Sequence, residues 1–274
     1  MTLLIGLGAA KAGTTWLHRY LADHPSCHAP PVKEMHWFDT VHTDWKRMRR
    51  DALLRERDRI ARKGAPQARL DRIARYADLF KGKPLDDADY LAALSEGAEH
   101  RLRFEITPAY SILPEAIIER MAALEGGTAK FLFVMRDPVR RMWSNIRMGA
   151  ERKGRTAEEM ATEALSPAGG AHLARSAYGE ILPKLRRAIP EDRLLVLFYE
   201  ELFRQETLDR LCAFAEIGRL AAPSGRRVNG GTERDLDPAL AAMARERLDP
   251  HYDAVRRLMG RVPEAWMARE EMTR

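Results

Sequence analysis

The sequence of 274 residues has only two cysteines, Cys27 and Cys212, which form neither a disulfide framework nor a metal-ligand spacing. Such sparse cysteine usage suits a reducing compartment. No apolar stretch approaches the roughly 20 residues of a membrane span. The apolar start lacks the basic region of a signal peptide and runs directly into a glycine-rich loop. These absences argue against a disulfide-stapled secreted domain, a zinc module and a membrane-spanning protein, and a cytoplasmic enzyme is the default expectation.

Length and charge set only broad bounds on function. The chain is long enough for one large α/β domain with a substantial core. It carries 46 basic and 40 acidic residues, a net charge of +6 that mildly favours anionic ligands. We find no internal repeat and no linker to a second domain. The sequence therefore predicts a single domain over residues 1–274.

The first 21 residues predict a strand, a small-residue loop and a helix. Residues 3–7 form a short apolar run typical of a buried parallel strand. Glycines and alanines dominate the next six positions, and the helix that follows ends at His24-Pro25. A loop of this kind before a helix N-terminus favours anion binding, because backbone N–H groups and the helix dipole both point at the ligand.

Two familiar phosphate-binding patterns come close to this loop and fail. The pattern G-x-G-x-x-G requires glycine at position 11, where the chain has Lys11. The pattern G-x-x-x-x-G-K-[ST] fits Gly8 and Gly13, but Thr14 replaces the lysine. The cation lies inside the loop instead. The stretch by itself leaves two interpretations open, a phosphate site or a strand–helix turn with a solvated lysine.

A second stretch, Lys33–Asp39 (KEMHWFD), mixes ionisable groups with large apolar ones. Burial beside Trp37 and Phe38 would raise the pKa of a carboxyl group here, whereas Lys33 would lower it. We expect the balance to bring the pKa of Glu34 closer to neutral. The alternative is an amphipathic connector whose aromatic residues enter the core while its charges stay solvated.

Residues 45–76 are predicted to be helical and very basic. Between Lys46 and Arg75 there are twelve Lys or Arg residues and four acidic residues. Gly64-Ala65-Pro66 divides the segment into two helices, and a further helix is predicted to open at Asp86 or Asp87. We interpret residues 45–95 as a basic helical insertion. It is either a solvated face or an arm beside the acceptor site that attracts an acidic substrate or a membrane surface.

Three further buried strands alternate with helices along the chain. They are predicted at Arg101–Ile106, Ala129–Met135 and Arg193–Phe198. Helices are predicted at 114–124, 138–148, 157–165 and 171–189. Another helix follows the last strand and ends at about residue 215, and a further one is predicted at 240–259 with an interruption near Pro250. Alternation of this kind predicts a doubly wound, mainly parallel central sheet flanked by helices, with the active site at the carboxyl ends of the strands.

Three separated stretches together resemble one family. LGAAKAGTTWLHRYLADHP, KEMHWFD, and EITPAYS followed by FLFVMRDPVRRMWS occur in the order found in sulfotransferases of the P-loop-like superfamily, nearer the heparan-sulfate-type and bacterial branch. These stretches cover the first 150 residues. The remainder matches loosely through RSAYGEIL, LLVLFYEEL and VNGGT. The resemblance implies a P-loop NTPase-like fold and a donor, 3′-phosphoadenosine 5′-phosphosulfate (PAPS).

The resemblance also implies two phosphate-binding groups. Those implied at the 5′-phosphate are Lys11, Ala12, Gly13, Thr14 and Thr15. Those implied at the 3′-phosphate are Arg136 and Ser144, with Arg226 and Arg227 closing over it. Tyr178 is implied near the adenine. A fixed guanidinium fork suits the 3′-phosphate that separates PAPS from ATP.

Glu34 matches the catalytic base of the family's Lys-Glu-x-His pattern, with Lys33 and His36 beside the acceptor. Sulfuryl transfer is an in-line displacement that needs a deprotonated acceptor and a neutralised leaving phosphate. Lys11 and the loop amides can supply the charge that Mg²⁺ supplies in phosphoryl transfer, so no metal is expected. His36 is the competing base, since its unperturbed pKa is about 6.5.

Two other functions stay open from the sequence. The first is a P-loop kinase of a small metabolite, which would need Mg²⁺ and ATP and which Thr14 argues against. The second is a non-catalytic protein that binds nucleotides or polyanions in a salt-dependent way. The acceptor is left open as a small molecule, a lipid or a carbohydrate, with a hydroxyl or amine as the acceptor group. Nucleic acid is not an expected partner, and the oligomeric state is left open.

Overall fold

The computed structural model describes residues 1–82, 84–96, 99–223 and 236–267. In these residues five strands form one sheet in the order β2-β3-β1-β4-β5, and every neighbouring pair is parallel. The strands are β1 (Thr2–Gly8), β2 (Cys27–His28), β3 (Leu102–Ile106), β4 (Lys130–Met135) and β5 (Leu194–Phe198). The predicted doubly wound parallel sheet is therefore confirmed.

Helices flank the sheet and connect its strands. Those of the first half are α1 (Thr14–Ala22), α2 (Trp37–Thr43), α3 (Lys46–Ala61), α4 (Gln67–Asp78), α5 (Asp87–Ser95), α6 (Glu115–Ala122) and α7 (Leu124–Gly127). Those of the second half are α8 (Pro138–Lys153), α9 (Ala157–Leu165), α10 (Gly170–Leu173), α11 (Tyr178–Ala188), α12 (Gln205–Phe214), α13 (Pro238–Met259) and α14 (Glu264–Met267). No helix in the described parts of the chain is long and apolar enough to cross a membrane.

The central strand β1 positions the loop that follows it. It lies between β3 and β4, with Leu4 opposite Phe104 and Ile5 opposite Phe131, and all four side chains are buried. Connections leave β1 toward β2 and β3 on one side and toward β4 and β5 on the other. Ligands of open α/β sheets bind outside the carboxyl ends of the strands at such a switch point. The loop after Gly8 opens there.

Several local signals are confirmed. Asp86 caps α5, because its side chain accepts a hydrogen bond of 2.9 Å from the N–H of Ala88. Pro138 occupies the first position of α8, where its missing N–H costs nothing. The basic segment forms two helices, α3 and α4, separated at Gly64, whose φ of +77° favours glycine.

Two predicted helices differ from the structure. The interruption expected near Pro250 does not occur, since α13 is continuous; Pro250 and Glu246 are exposed, so water can bond the carbonyl that the proline leaves free. The single helix predicted over 171–189 is instead α10, a 3₁₀ turn at Ala174–Ser176, and α11. The break aims the buried Ser176 hydroxyl at the carbonyl of Pro138, 2.9 Å away.

Candidate active site

The loop between β1 and α1 presents a row of unpaired backbone donors. The residue before α1 is Gly13, with φ +79°, and a Cβ there would lie 3.0 Å from the side chains of Leu202 and Tyr199. The N–H groups of residues 13–16 donate to no acceptor in the described parts of the chain. The first turn of α1 also has no acidic residue. A helix N-terminus with free N–H groups and no acid is suited to an anion.

Positive side chains converge on the same loop. Lys11 is half-buried, and its Nζ lies 3.5 Å from Sδ of Met148. Burial lowers the pKa of Lys11, and neighbouring positive charges lower it further; these charges are Arg136, Arg147, Arg152 and Lys33. Within the described residues Lys11 forms no ion pair with a carboxylate. The loop therefore holds an excess of positive charge that a bound anion would neutralise.

Arg136 closes one side of the loop from the end of β4. Its Nη1 donates to the carbonyl of Lys11 at 3.1 Å, and its guanidinium lies 4.7 Å from the ring centre of Tyr199. Its Nε is buried and has no hydrogen-bond partner in the described chain. An unpartnered guanidinium N–H is costly when buried, so this donor favours an anionic ligand at the same place.

Tyr178 holds the backbone of Arg136 through two hydrogen bonds. Its hydroxyl donates to the carbonyl of Arg136 at 2.9 Å and accepts from the N–H of Arg136 at 3.2 Å. The side chain is fully buried, with its ring edge-on to Phe133 at 5.9 Å. A ring with no exposed surface has none to offer an adenine. We propose that Tyr178 acts by positioning Arg136 rather than by touching the nucleotide.

The turn after Arg136 is held by a network that the sequence did not indicate. Asp137 caps α8 by accepting from the N–H of Arg140 at 2.8 Å, and its other oxygen accepts from the hydroxyl of Tyr252 at 2.9 Å. The N–H of Asp137 donates to Oε1 of Glu200 at 3.0 Å. Burial raises the pKa of Asp137 and of Glu200. Both carboxylate oxygens of Asp137 are thus used to hold the turn.

Ser144 lies on α8, on the face that approaches the loop. It is partly exposed and one helical turn before Met148, so the two side chains share a face. Because Met148 contacts Lys11, Ser144 also faces the loop side. Thr14 and Thr15 open α1, and Ala12 is buried beneath the loop. Arg226 and Arg227 lie outside the described residues.

A second cluster, Lys33 to Asp39, lies beyond the short strand β2. Lys33 pairs with Oε1 of Glu34. Nε2 of His36 lies 3.5 Å from Oε2 of Glu34, and Nδ1 of His36 lies 2.6 Å from Oδ2 of Asp39. Glu34 and His36 both have left-handed backbones, with φ of 63° and 53°. The segment then enters α2, which buries Trp37 and Phe38 completely.

The electrostatics of this cluster correct one expectation. Burial raises the pKa of Glu34, but hydrogen bonds and charges from His36 and Lys33 outweigh it and bring the pKa to about 2. Burial lowers the pKa of His36, but Asp39 and Glu34 raise it to about 9. The expectation that the pKa of Glu34 moves toward neutral is wrong, because its cationic partners prevail over desolvation. At neutral pH the cluster holds an ionised Glu34 and a protonated His36.

We expect the protonated His36 to make stability depend on pH. Its folded pKa of about 9 exceeds the unfolded value of about 6.5, so its contribution is complete below pH 6.5 and is lost as pH rises through 9. His36→Asn keeps a residue that tolerates positive φ and removes the titration. Urea unfolding of both proteins across this range should show wild type losing more stability than the variant. Parallel pH profiles would contradict the assigned charge.

The basic helices hold the backbone of this cluster. Arg49 of α3 donates from Nη2 to the carbonyl of Glu34 at 2.7 Å, and the Tyr76 hydroxyl of α4 donates to the carbonyl of Met35 at 2.8 Å. Arg72 donates from Nη2 to the carbonyl of Ala29 at 3.1 Å. Arg49 therefore supports the cluster and Arg72 supports the segment just before it, so a purely solvated face is the wrong description for these two arginines.

Strand β3 adds a buried carboxyl group that sequence reasoning missed. Glu105 is fully buried, and its oxygens accept from the Tyr90 hydroxyl at 3.2 Å and the Thr107 hydroxyl at 2.7 Å. Burial raises the pKa of Glu105. Thr107 also accepts from the N–H of His36 at 3.3 Å. This contact ties the end of β3 to the cluster. Its only sequence signal was a glutamate inside an apolar strand.

The two groups of residues lie at the same edge of the sheet. β1 and β3 are neighbours, and both release their loops at the same edge of the sheet. Burial and the charges of neighbouring arginines lower the pKa of Lys11, and the charge of Lys33 in the cluster lowers it further. In the described residues no group of three His, Cys, Asp or Glu residues is arranged to hold a metal ion. The arrangement combines a positively charged loop that has free N–H groups with a carboxylate–histidine–carboxylate chain.

The parallel sheet thus presents, at one edge, a loop with free N–H groups and an ionised carboxylate, an arrangement that is suited to binding an anion. Residues 4–219 match the sequence model of the Sulfotransferase family, which is most of the chain. The protein belongs to the Sulfotransferase family, and the resemblance inferred from the three stretches is confirmed at that level. No match was found among curated protein sequences.

Solved structures share the fold. A sulfotransferase from Alicyclobacillus acidocaldarius is 20% identical, with a TM-score of 0.67, covering 97% of this chain and 99% of that one. The sulfotransferase domain of the Synechococcus PCC 7002 olefin synthase is 22% identical, with a TM-score of 0.52, covering 89% and 86%. The sulfotransferase domain from the curacin biosynthetic pathway is 19% identical, with a TM-score of 0.51, covering 88% and 82%. At these identities the likeness concerns the fold.

Proposed function

We propose that the protein transfers a sulfuryl group from PAPS to a hydroxyl or amine of an acceptor. The observation that carries this proposal is the loop of Lys11: in the described residues Lys11 forms no ion pair with a carboxylate, and it lies beside unpaired backbone N–H groups. Family membership supports sulfuryl transfer as the reaction. PAPS carries an activated sulfuryl group on a phosphate leaving group. Its 5′-phosphosulfate would lie at the Lys11 loop, and its 3′-phosphate would lie at Arg136.

The residues present fit such a donor. Lys11 and the N–H groups of residues 13–16 would neutralise the 5′-phosphate and the charge that develops on the bridging oxygen. Arg136, with its buried unpartnered Nε, and Ser144 would hold the 3′-phosphate. A side chain at Gly13 would narrow this cradle against Leu202 and Tyr199. Ala12, Thr14 and Thr15 complete the wall of the loop.

Glu34 is the base that the charges favour. Its ionised carboxylate can accept a proton from an acceptor hydroxyl, whereas the protonated His36 has no free lone pair for one. Asp39 orients His36 through Nδ1, and His36 in turn faces Glu34 through Nε2. Lys33 pairs with Glu34, and its positive charge also lowers the pKa of Lys11 in the loop. The reaction proposed therefore uses Glu34 as base, with Lys33 and His36 beside the acceptor.

Adenosine 3′,5′-bisphosphate (PAP) should stabilise the protein more than AMP or ATP, and without Mg²⁺. At a 100-fold excess over its dissociation constant a ligand adds about 2.7 kcal/mol to the free energy of unfolding, which a thermal melt detects. Arg136→Met should remove the preference for PAP over AMP. Arg140→Met is the matched control, because Arg140 is an exposed arginine at the start of α8, the helix that follows Arg136. Equal or greater stabilisation by ATP with Mg²⁺ would favour a kinase instead.

A further inference from the structure

The positive charge of the protein is concentrated in one pair of helices. Residues 46–75 carry twelve basic and four acidic side chains, a net charge of +8. The rest of the chain has 34 basic and 36 acidic residues, a net charge of −2. The overall charge of +6 is therefore a property of α3 and α4. Charge localised in this way creates a field that attracts an extended anionic surface.

The outer face of α3 combines this charge with exposed apolar side chains. Trp45, just before the helix, and Met48 are 55% and 56% exposed. The same face continues through Arg55, Arg59 and Arg62, which all lie at the surface. The opposite face buries Leu53 and Ile60 against the protein. We define the outer face of α3 as Trp45, Met48, Arg55, Arg59 and Arg62.

An exposed tryptophan next to a methionine at the end of a row of arginines matches the chemistry of a bilayer interface. Aromatic and long apolar side chains enter the boundary between headgroups and acyl chains, while arginines contact lipid phosphates. A soluble anionic polymer would account for the arginines but not for an exposed Met48. Elsewhere in the described residues, Ile112 and Met243 are exposed to 41% and 45%, less than Trp45 and Met48.

We propose that the outer face of α3 docks on an anionic lipid bilayer, with Trp45 and Met48 inserted at the headgroup level. The first turn of α3 also carries Arg49, whose guanidinium holds the carbonyl of Glu34. Docking therefore brings the segment with the candidate base to the membrane surface. As an extension that rests on the proposed function, the acceptor is a lipid whose headgroup bears a hydroxyl or amine.

Trp45 provides a direct readout of docking. The other four tryptophans are at most 8% exposed, so a change in tryptophan emission on vesicle binding reports Trp45. We expect a blue shift with vesicles of phosphatidylcholine and phosphatidylglycerol, and none with phosphatidylcholine alone. Because the attraction is electrostatic, sedimentation with the anionic vesicles should weaken as salt is raised.

Matched variants separate docking from general surface effects. The double variant Trp45→Ala/Met48→Ala should lower the vesicle partition coefficient by about tenfold or more. Arg62→Glu should lower it at least about fivefold, the loss expected for one basic residue near an anionic surface. Met243→Ala and Arg257→Glu, exposed residues of α13, should leave it unchanged. Each variant is also tested for PAP binding by thermal melt.

The outcomes are distinct. Full vesicle binding by Trp45→Ala/Met48→Ala, or no blue shift of the wild type, would overturn the docking proposal. Salt-sensitive binding of a sulfated polysaccharide without vesicle binding would assign the basic helices to a soluble polyanion instead. Loss of docking with PAP binding intact would leave the proposed function standing. Docking on vesicles without any thermal shift by PAP would reject the proposed function but support the docking proposal.

Discussion

Lys11→Met should lower kcat by about two to three orders of magnitude, the range found when one preorganised donor to a developing charge is removed. Methionine keeps an unbranched apolar side chain and deletes the ammonium group, whose Nζ lies 3.5 Å from the sulfur of Met148. Turnover is measured as PAP released from PAPS with water or an added alcohol as acceptor. In the wild type, Lys11 would neutralise the leaving phosphate. Lys11 forms no ion pair with a carboxylate in the described residues, so the variant leaves no carboxylate without its partner.

The same variant should not lose stability. The pKa of Lys11 is lowered by burial and by Arg136, Arg147, Arg152 and Lys33, so its charge is unfavourable in the absence of a ligand. Lys11→Met is therefore expected to unfold at the same urea concentration as wild type or a higher one. Lys63→Met, an exposed lysine, is the control for charge removal. Unchanged turnover in Lys11→Met would show that the loop does not act on the transferred group.

Much of the fold could be predicted because its signals are local. The apolar run of β1, the small residues after it and the helix beginning at Thr14 are contiguous, and each element follows from its own composition. Asp86 and Pro138 mark helix starts through preferences that act within a few residues. The glycine-bearing loop before α1 was predictable for the same reason, since the helix N-terminus and its glycines lie together in the sequence.

The supports of the site could not be predicted, because they join residues far apart in the chain. The hydroxyl of Tyr252 reaches Asp137, 115 residues earlier, and that of Tyr178 reaches Arg136 across 42 residues. Pro250 shows a second limit, because there a local signal gave the wrong prediction. Its local effect is to break helices, but exposure lets α13 continue through it. Tertiary contacts and solvent exposure determine the structure at such positions, and neither can be predicted from the spacing of residues in the sequence.

The pKa of Glu34 shows why the chemistry of the site needed the structure. The sequence indicated burial and one nearby lysine, which act in opposite directions on a carboxyl group. The structure adds His36, which Asp39 keeps protonated, as a second cation beside Glu34. Two cationic partners outweigh desolvation and bring the pKa to about 2. The sign of the shift depended on side-chain geometry rather than on composition.

Glu34→Gln should lower kcat by about two to four orders of magnitude while PAP binding is retained, because it keeps the shape and removes the basic group. Turnover is measured as PAP release, and binding as a thermal shift. Glu115→Gln is the control, since Glu115 pairs with Arg187 and contacts neither the loop nor the cluster. Near-normal turnover in Glu34→Gln, with His36→Asn folded but inactive, would transfer the role of base to His36.

The pH dependence of wild-type kcat/KM separates the same two bases without mutation. With Glu34 as base, its pKa of about 2 leaves the carboxylate ionised, so the rate should be level between about pH 5 and pH 8. With His36 as base, the rate should climb toward pH 9, since only the neutral imidazole accepts a proton. We expect the level profile, and a fall above about pH 9, where His36 loses the charge that faces Glu34. A tenfold rise per pH unit across the neutral range would identify His36 as the base, because its neutral fraction grows by that factor below its pKa.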